Sequence, residues 1–295
     1  MASGRAPIDR RIARRRFERA ARSYARAARL EAEIGARMLE RLDYVRVAPR
    51  RILDAGAGPA REARALAARY RGAAIIALDF SLAMLREARR GAALFAALTR
   101  RPRPRAVCAD VERLPLADRS IGLVWSNMLL HWLDEPLAAL REFHRVLEPG
   151  GLLMFSMLGP DSLKELRQAA GRERVHDFVD MHDIGDRLVA AGFATPVMDM
   201  EMLKMKYVAA EQLLDDLRQS GQTSALSSAP SGLAGRSFRA RLIDALRGER
   251  KPGGEFYATY EIVYGHAWKA DEKITRASDS EKSVAPLRFV PRMHK

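Results

Sequence analysis

The sequence predicts an α/β fold built on a mostly parallel sheet, and three observations carry that prediction. Between about residues 50 and 160, short apolar runs alternate with stretches of helical periodicity, as strands joined by crossover helices require. The first apolar run ends in an acid and a small-residue turn, Arg51-Ile-Leu-Asp-Ala-Gly-Ala-Gly-Pro-Ala60. The second, Ala74-Ile-Ile-Ala-Leu-Asp79, closes on another acid. In a doubly wound sheet the turn after the first strand brings bare backbone to a ligand, and an acid ending the second holds two ribose hydroxyls. Gly56, Gly58 and Asp79 therefore point to a bound nucleoside.

Residues 1–45 read as helix, with Ile12, Phe17, Ala20, Ala21 and Tyr24, then Ile34, Met38 and Leu42, at helical spacing. Residues 1–29 carry ten arginines against Asp9 and Glu18. Such a start fits either a mitochondrial transit peptide or a helix folded over an active site. Strands are expected at 51–55, 74–79, 105–109, 121–126 and 151–157. Ser81 is a candidate N-cap for the helix after the second strand. The prolines of Arg100-Arg-Pro-Arg-Pro-Arg105 make that segment a loop. Helices are expected over 136–147, 161–170 and 182–191, the last stopping at Gly192 before a strand from Thr195 to Met202. Residues 208–250 read as an inserted pair of helices, 211–218 and 237–246, joined by a serine- and glycine-rich loop over 220–235. A strand from Tyr257 to Tyr264 closes the domain, so the insertion falls between the last two strands. The expected organisation is an N-terminal helical lid over 1–45, one domain over 46–269 and a disordered tail over 270–295.

At 295 residues the chain has ample length for a buried core, and 48% hydrophobic with 30% charged residues is a globular composition. No apolar run reaches the ~18 residues of a membrane span. The single cysteine, Cys108, rules out an intrachain disulfide, fits a reducing bacterial cytoplasm, and is read as core packing. Six scattered histidines show no metal-ligand spacing. The net charge of +14 invites a nucleic-acid reading, but no aromatics interleave with the basic residues. Arginine replaces lysine throughout the chain before Lys164, which resembles coding bias. The charge is read as a solvated surface, or as a dock for an acidic protein partner.

The choice of nucleoside turns on the first glycine turn. A dinucleotide fingerprint needs glycine at position 61, where this chain has Arg61. Asp54 beside a pyrophosphate would be repelled, whereas it suits the ammonium of S-adenosylmethionine. The pattern Asp54-x-Gly56-x-Gly58 resembles motif I of the class I methyltransferases. Asp79-Phe80-Ser81 resembles the end of that family's second strand. Ala109-Asp110-Val111 resembles its adenine clamp, and Leu147-Glu-Pro-Gly-Gly151 resembles its turn into the fifth strand. Four such matches in order are strong together although each is weak alone. Ile121-Gly122 departs from the aromatic-acid pair usual before the fourth strand. The resemblance implies a seven-stranded Rossmann-like methyltransferase sheet, with cofactor contacts from Asp54, Gly56, Gly58, Asp79, Phe80, Asp110, Val111 and Asn127.

Longer segments resemble the malonyl-[acyl-carrier protein] O-methyltransferases of biotin synthesis. They include Phe17-Glu-Arg-Ala-Ala-Arg-Ser-Tyr24, Trp125-Ser-Asn-Met-Leu-Leu-His-Trp132, the run from Phe155 to Leu166, Met181-His-Asp-Ile-Gly-Asp186, Pro196-Val-Met-Asp-Met-Glu201 and the run from Ala258 to Trp268. The resemblance covers about residues 15–269 and favours a lid helix over a transit peptide. Part of it is shared with a mitochondrial complex I assembly factor regarded as a protein-arginine hydroxylase, an activity that needs an oxidant. Met181–Asp186 and Gly265-His-Ala-Trp268 favour the biotin enzymes. The implied reaction is methyl transfer to the malonyl carboxylate on an acidic acyl-carrier protein, or on coenzyme A. A carboxylate with a reference pKa near ~4 is already ionised at neutral pH. No general base is therefore expected, and the protein's task is positioning. Tyr24, His131, Arg141 and His266 are the candidate substrate contacts, with Arg145 one turn beyond Arg141. Trp125 and Trp132 are read as packing residues, and the oligomeric state is left open.

Overall fold

In the computed structural model the described residues are 6–99, 103–228, 235–248 and 256–271. Seven strands form one sheet: β1 (Arg51–Ala55), β2 (Ala74–Asp79), β3 (Arg105–Cys108), β4 (Ile121–Ser126), β5 (Leu147–Leu158), β6 (Phe193–Tyr207) and β7 (Phe256–Lys269). Their order is β3-β2-β1-β4-β5-β7-β6. The first five strands are parallel, and β7 runs antiparallel between β5 and β6. The order reverses between β1 and β4, so the carboxyl ends of β1, β2 and β4 border the crevice where such sheets take ligands.

The helices among the described residues are α1 (Arg10–Ala27), α2 (Arg29–Arg41), α3 (Arg61–Arg69), α4 (Leu82–Thr99), α5 (Leu137–Val146), α6 (Lys164–Ala170), α7 (Met181–Ala190), α8 (Ala210–Gln219) and α9 (Arg236–Gly248). Two apolar clusters fill the two sides of the sheet. Ile52, Trp125 and Met154 pack towards α2 and α3, while Leu53, Val124 and Phe155 pack towards α5 and α7. Neighbouring residues on each strand thus enter opposite cores, which is why these strands read as continuous apolar runs.

Strands 51–55, 74–79 and 121–126 have the expected limits, and 105–109 ends one residue sooner. The last strands are longer than expected because β6 and β7 stay paired from Phe193 with Lys269 to Tyr207 with Phe256. Three local findings correct the sequence expectations, two of them on helix limits. The N-terminal helix is broken at Ala28 (φ −78°, ψ 58°) into α1 and α2, and neither glycine nor proline marks the break in the sequence. The helix expected from Asp161 starts at Lys164, since Leu163 has φ +56° and so cannot lie inside a right-handed helix. Cys108 is exposed rather than part of the core, because β3 is an edge strand. Ser81 does cap α4, its Oγ accepting from the Met84 amide at 3.3 Å. The tail from residue 272, most of the 100–105 loop and part of the 220–235 loop lie outside the described residues.

Candidate active site

The site begins at the carboxyl end of β1. Gly56 (φ +75°) and Gly58 (φ +51°) turn the chain sharply, and the amides of Gly56 and Ala57 both donate to the Leu78 carbonyl at 2.9 Å. A Cβ on Gly56 would sit 3.0 Å from Leu129, in a backbone region that side chains disfavour. Asp79, at the end of β2, is buried and completes this turn. Its Oδ2 accepts from the Gly58 amide at 2.9 Å and its Oδ1 from the Ser81 amide at 2.8 Å. Burial pushes its carboxyl up to about 6, while the two amides favour the charged form. Each oxygen keeps lone-pair capacity for a hydroxyl donor.

Asp79, Gly56, Gly58, Phe80, Asp110 and Val111 line one pocket. Asn127 and Tyr24 border both that pocket and an adjoining recess that contains Asp54. The structure thus brings together the eight residues assigned to the cofactor and one of the four assigned to the substrate. Asn127 is held at both ends of its amide: Oδ1 accepts from Ser156 Oγ at 2.8 Å and Nδ2 donates to the Glu31 carbonyl at 2.9 Å.

Acids crowd this space, and Arg61 and Arg64 at the edge of the Asp54 recess offset their charge only in part. Asp54 is buried, its Oδ2 has no hydrogen-bond partner, and burial, then Glu62, push its carboxyl well above the usual range. Burial raises Glu62 to about 7 and also raises Glu31, which accepts a hydrogen bond from the Gln222 side chain. Burial, then Glu31, Glu62 and Asp79, push the Tyr24 phenol well up. Anionic groups held at such cost with one oxygen unpaired describe a receptor for a cation. The sequence reading missed Glu31 and Glu62. Glu31 had a legible signal, since it shares the buried stripe of α2 with Ile34 and Met38.

The N-terminal helix α1 lies across the pocket, as Arg10, Ala13, Phe17 and Tyr24 all line it. Asp9 caps the helix, its Oδ1 accepting from the amides of Arg11 (2.8 Å) and Ile12 (3.0 Å). The Ile8 amide donates to Asp134 Oδ1 at 2.6 Å, and Arg10 pairs with Asp110 and Glu112, each at 2.6 Å. The Arg10 pair and the Glu112 amide both engage Asp110 Oδ1, which leaves Oδ2 for an amine donor. Phe17 meets Trp132 edge-on at 4.9 Å between ring centres, and Trp132 meets His176 at 5.1 Å. Trp132 is therefore a wall of the site rather than only a packing residue. Trp125 is fully buried in the core.

Beyond Trp132 lies a second cavity of about 390 Å³. Leu158, Leu163, Phe178, Leu217, Phe238 and Leu242 give it a largely apolar wall, with α8 and α9 covering one side. His131 borders this cavity. It is buried, its Nδ1 accepts from the Leu158 amide at 3.4 Å, and burial lowers its pKa to about 3.

Two candidates do not reach either cavity, and these are corrections. Arg141 is exposed on α5, whose inner face is taken by Ala139, Leu140, Phe143 and Val146. His266 is on β7 opposite Met154 and borders a separate hollow with Arg41, Tyr44 and Asp199. Arg145 is structural: it pairs with Glu142 and Asp118 and donates to the carbonyls of Leu114 and Leu116.

Comparison with known proteins gives consistent results. Residues 53–155 match the model of a methyltransferase domain. The malonyl-[acyl-carrier protein] O-methyltransferase of Methylovorus sp. (strain MP688) is 44% identical over 97% of this chain and 96% of its own length. That of Gallionella capsiferriformans (strain ES-2) is 45% identical over 91% of this chain and 94% of its own. Among solved structures, the YcgJ protein of Bacillus subtilis superposes with a TM-score of 0.57 at 18% identity, covering 79% of this chain and 98% of that one. At that identity the match speaks to the fold alone.

Proposed function

The chain belongs to the malonyl-[acyl-carrier protein] O-methyltransferases, and from that premise we propose how its two cavities divide the reaction. It is an S-adenosylmethionine-dependent carboxyl O-methyltransferase of the class I fold. Its reaction is methylation of the free carboxylate of a malonyl thioester, the step that starts pimeloyl formation in biotin synthesis. The pocket at β1, β2 and α1 is the place for S-adenosylmethionine. The single observation that carries this is the acid set of buried Asp54, Glu31 and Asp79 with half-buried Glu62, which includes an unpartnered carboxylate oxygen. Asp79 would take the ribose hydroxyls, Asp110 Oδ2 and the Val111 amide the adenine, and Asp54 with Asn127 the amino-acid end. Phe80 and Phe17, 6.1 Å apart edge to face, would flank the base. When bound, the cofactor supplies an electrophilic methyl group on a sulfonium.

The chain's own work is positioning and dehydration. The acceptor is an ionised carboxylate, so no side chain has to remove a proton. Burial, then His176, lower His131 to about 3, so it carries no charge near neutrality. Holding the acceptor oxygen in line with the methyl carbon, with water excluded by Trp132, Phe17 and the α8–α9 cover, can supply ~7–11 kcal/mol in favourable cases. The thioester arm would enter through the second cavity. The carrier, an acidic protein in the cytoplasm, would meet a chain of net charge +14.

The test is direct. The protein is incubated with labelled S-adenosylmethionine and malonyl-carrier protein, and the carrier is weighed by mass spectrometry. A gain of one labelled methyl group that alkaline hydrolysis removes is the expected result. An unchanged carrier, or a gain of oxygen in place of methyl, overturns the proposal. Malonyl-coenzyme A run in parallel shows which thioester is preferred.

A further inference from the structure

Of the two arginines that border the apolar second cavity, Arg174 pairs with Glu173, whereas Arg16 pairs with no carboxylate among the described residues. Arg16, on α1 next to the cofactor-lining Phe17, borders the cavity, and its buried Nη1 has no hydrogen-bond partner. A guanidinium nitrogen shut away from water without an acceptor is costly unless a ligand completes it. Carboxylates on α1 do not serve it: Glu18 is taken by Arg14, and Asp9 by the helix amides.

The one side-chain charge that bears on Arg16 is the like charge of Arg19, and the groups it meets across the cavity are neutral donors. His176 Nε2 accepts from the Ala225 amide at 2.8 Å, which places its proton on Nδ1. Burial, then the Arg16 charge, lower His176 to about 4, so it is uncharged near neutrality. His131 accepts through Nδ1 and so keeps its proton on Nε2. Both rings border the cavity, together with the hydroxyl residues Thr223 and Ser224. Ser224 Oγ is itself buried and unpartnered. Trp132 and Gln222 line both this cavity and the cofactor pocket, so an anion at Arg16 lies beside the methyl donor's site. The rest of the cavity is apolar out to Phe238, where the Arg174 guanidinium lies 4.1 Å over the ring.

We propose that Arg16 is the anchor for the acceptor carboxylate, with the apolar remainder of the cavity holding the thioester arm that runs out past Phe238. The arrangement explains why the enzyme takes a dicarboxylic acid half-thioester: a monocarboxylic thioester has no second anion for Arg16, and a free diacid has no arm to fill the apolar walls. It also favours release. Methylation removes the negative charge, so the ester product leaves a site whose strongest contact has been lost.

This inference rests on the carboxyl-methylation reading, and the experiment separates the two. Full-length protein and the variants Arg16→Gln, Arg16→Met and Arg16→Lys are assayed with S-adenosylmethionine and malonyl-carrier protein. Wild-type protein that fails to methylate the carrier refutes the reading itself. With active wild type, Arg16→Gln and Arg16→Met should lose at least ~30-fold in kcat/KM, mostly through KM, since a buried charge partner is removed. Arg16→Lys should recover part of that loss. Calorimetric affinity for S-adenosylmethionine should stay within about twofold throughout, and inhibition by the neutral malonyl methyl ester thioester should be unchanged. Full kcat/KM in Arg16→Gln overturns the anchor. So does an equal loss of binding for the charged substrate and the neutral ester, which marks a purely structural role. Should one neutral variant fail to fold, the other carries the comparison, because Met keeps the apolar stem and Gln the polar tip.

Discussion

Lowering the pH should weaken cofactor binding at values where ordinary carboxylates are still ionised. Asp79 is raised to about 6 and Glu62 to about 7, in each case first by burial. The sign follows from linkage. With folded values above the unfolded ones, the protein without cofactor holds more protons than the unfolded chain between about pH 4 and pH 7, so these groups make it less stable as pH rises through that window. For Asp79 the burden on the ionised form approaches ~3 kcal/mol. A sulfonium and an ammonium favour the ionised acids, so binding should expel protons. At pH 5 only about one-tenth of Asp79 is ionised, which alone raises the apparent Kd about tenfold over pH 8. Glu62 adds to this in so far as its charge is felt by the ligand. Calorimetry from pH 5 to 8, in buffers of different ionisation enthalpy, measures both the affinity and the protons released. Glu62→Gln should flatten the part of the curve near pH 7 and leave the part near pH 6. A Kd constant across the range, or no proton release at pH 6, refutes the reasoning.

Three other outcomes follow from the same geometry. Asp79→Ala should weaken S-adenosylmethionine binding at least ~10-fold by calorimetry, because it removes charge-assisted bonds to two hydroxyls. Gly56→Val should abolish cofactor binding and lower the melting temperature, since a Cβ would lie 3.0 Å from Leu129 at φ +75°; a variant of unchanged affinity would show that the turn tolerates bulk. Affinity for the acidic carrier should fall as salt rises from 50 to 300 mM (roughly the range over which screening shortens below ~10 Å), and a salt-independent Kd rejects the basic surface as the dock.

The clustering of the residues assigned to the cofactor was legible because it depends on local features. Gly56, Gly58 and Asp79 lie at the ends of adjacent parallel strands, and the apolar runs and turn residues that mark those ends can be read along the sequence. The second cavity was not, because it is assembled across the chain. Arg16 comes from α1, His131 from the segment after β4, His176 from the loop before α7, and Leu217 and Phe238 from the insertion. No short spacing records such a meeting. Arg141 illustrates the failure: an arginine near the right strand, but on the outward face of an amphipathic helix. His266 shows another, since sharing a strand with resemblance motifs says nothing about which face or end it occupies. Arg16 was hidden among the ten arginines of residues 1–29, and among the described ones it stands out by a buried guanidinium nitrogen without a partner.

Taken together, the two cavities explain why this chain can work without a proton-transfer group. One encloses acids that prefer a cationic ligand, and the other presents an arginine that prefers an anionic one. Trp132 and Gln222, which line both, mark where the two charges meet. Methyl transfer from a sulfonium to a carboxylate consumes both charges. The transition state therefore carries less charge than the separated reactants, and a dry, weakly polar space stabilises it relative to them more than water does. Burial here is thus part of the rate rather than only a barrier to solvent. Helix α1 supplies Tyr24 and Phe17 to one cavity and Arg16 to the other, so a single helix borders both. The loss of charge also bears on the raised pKa values, since the cost of burying Asp54 with one unpartnered oxygen falls when a cationic donor binds and returns once that charge is gone.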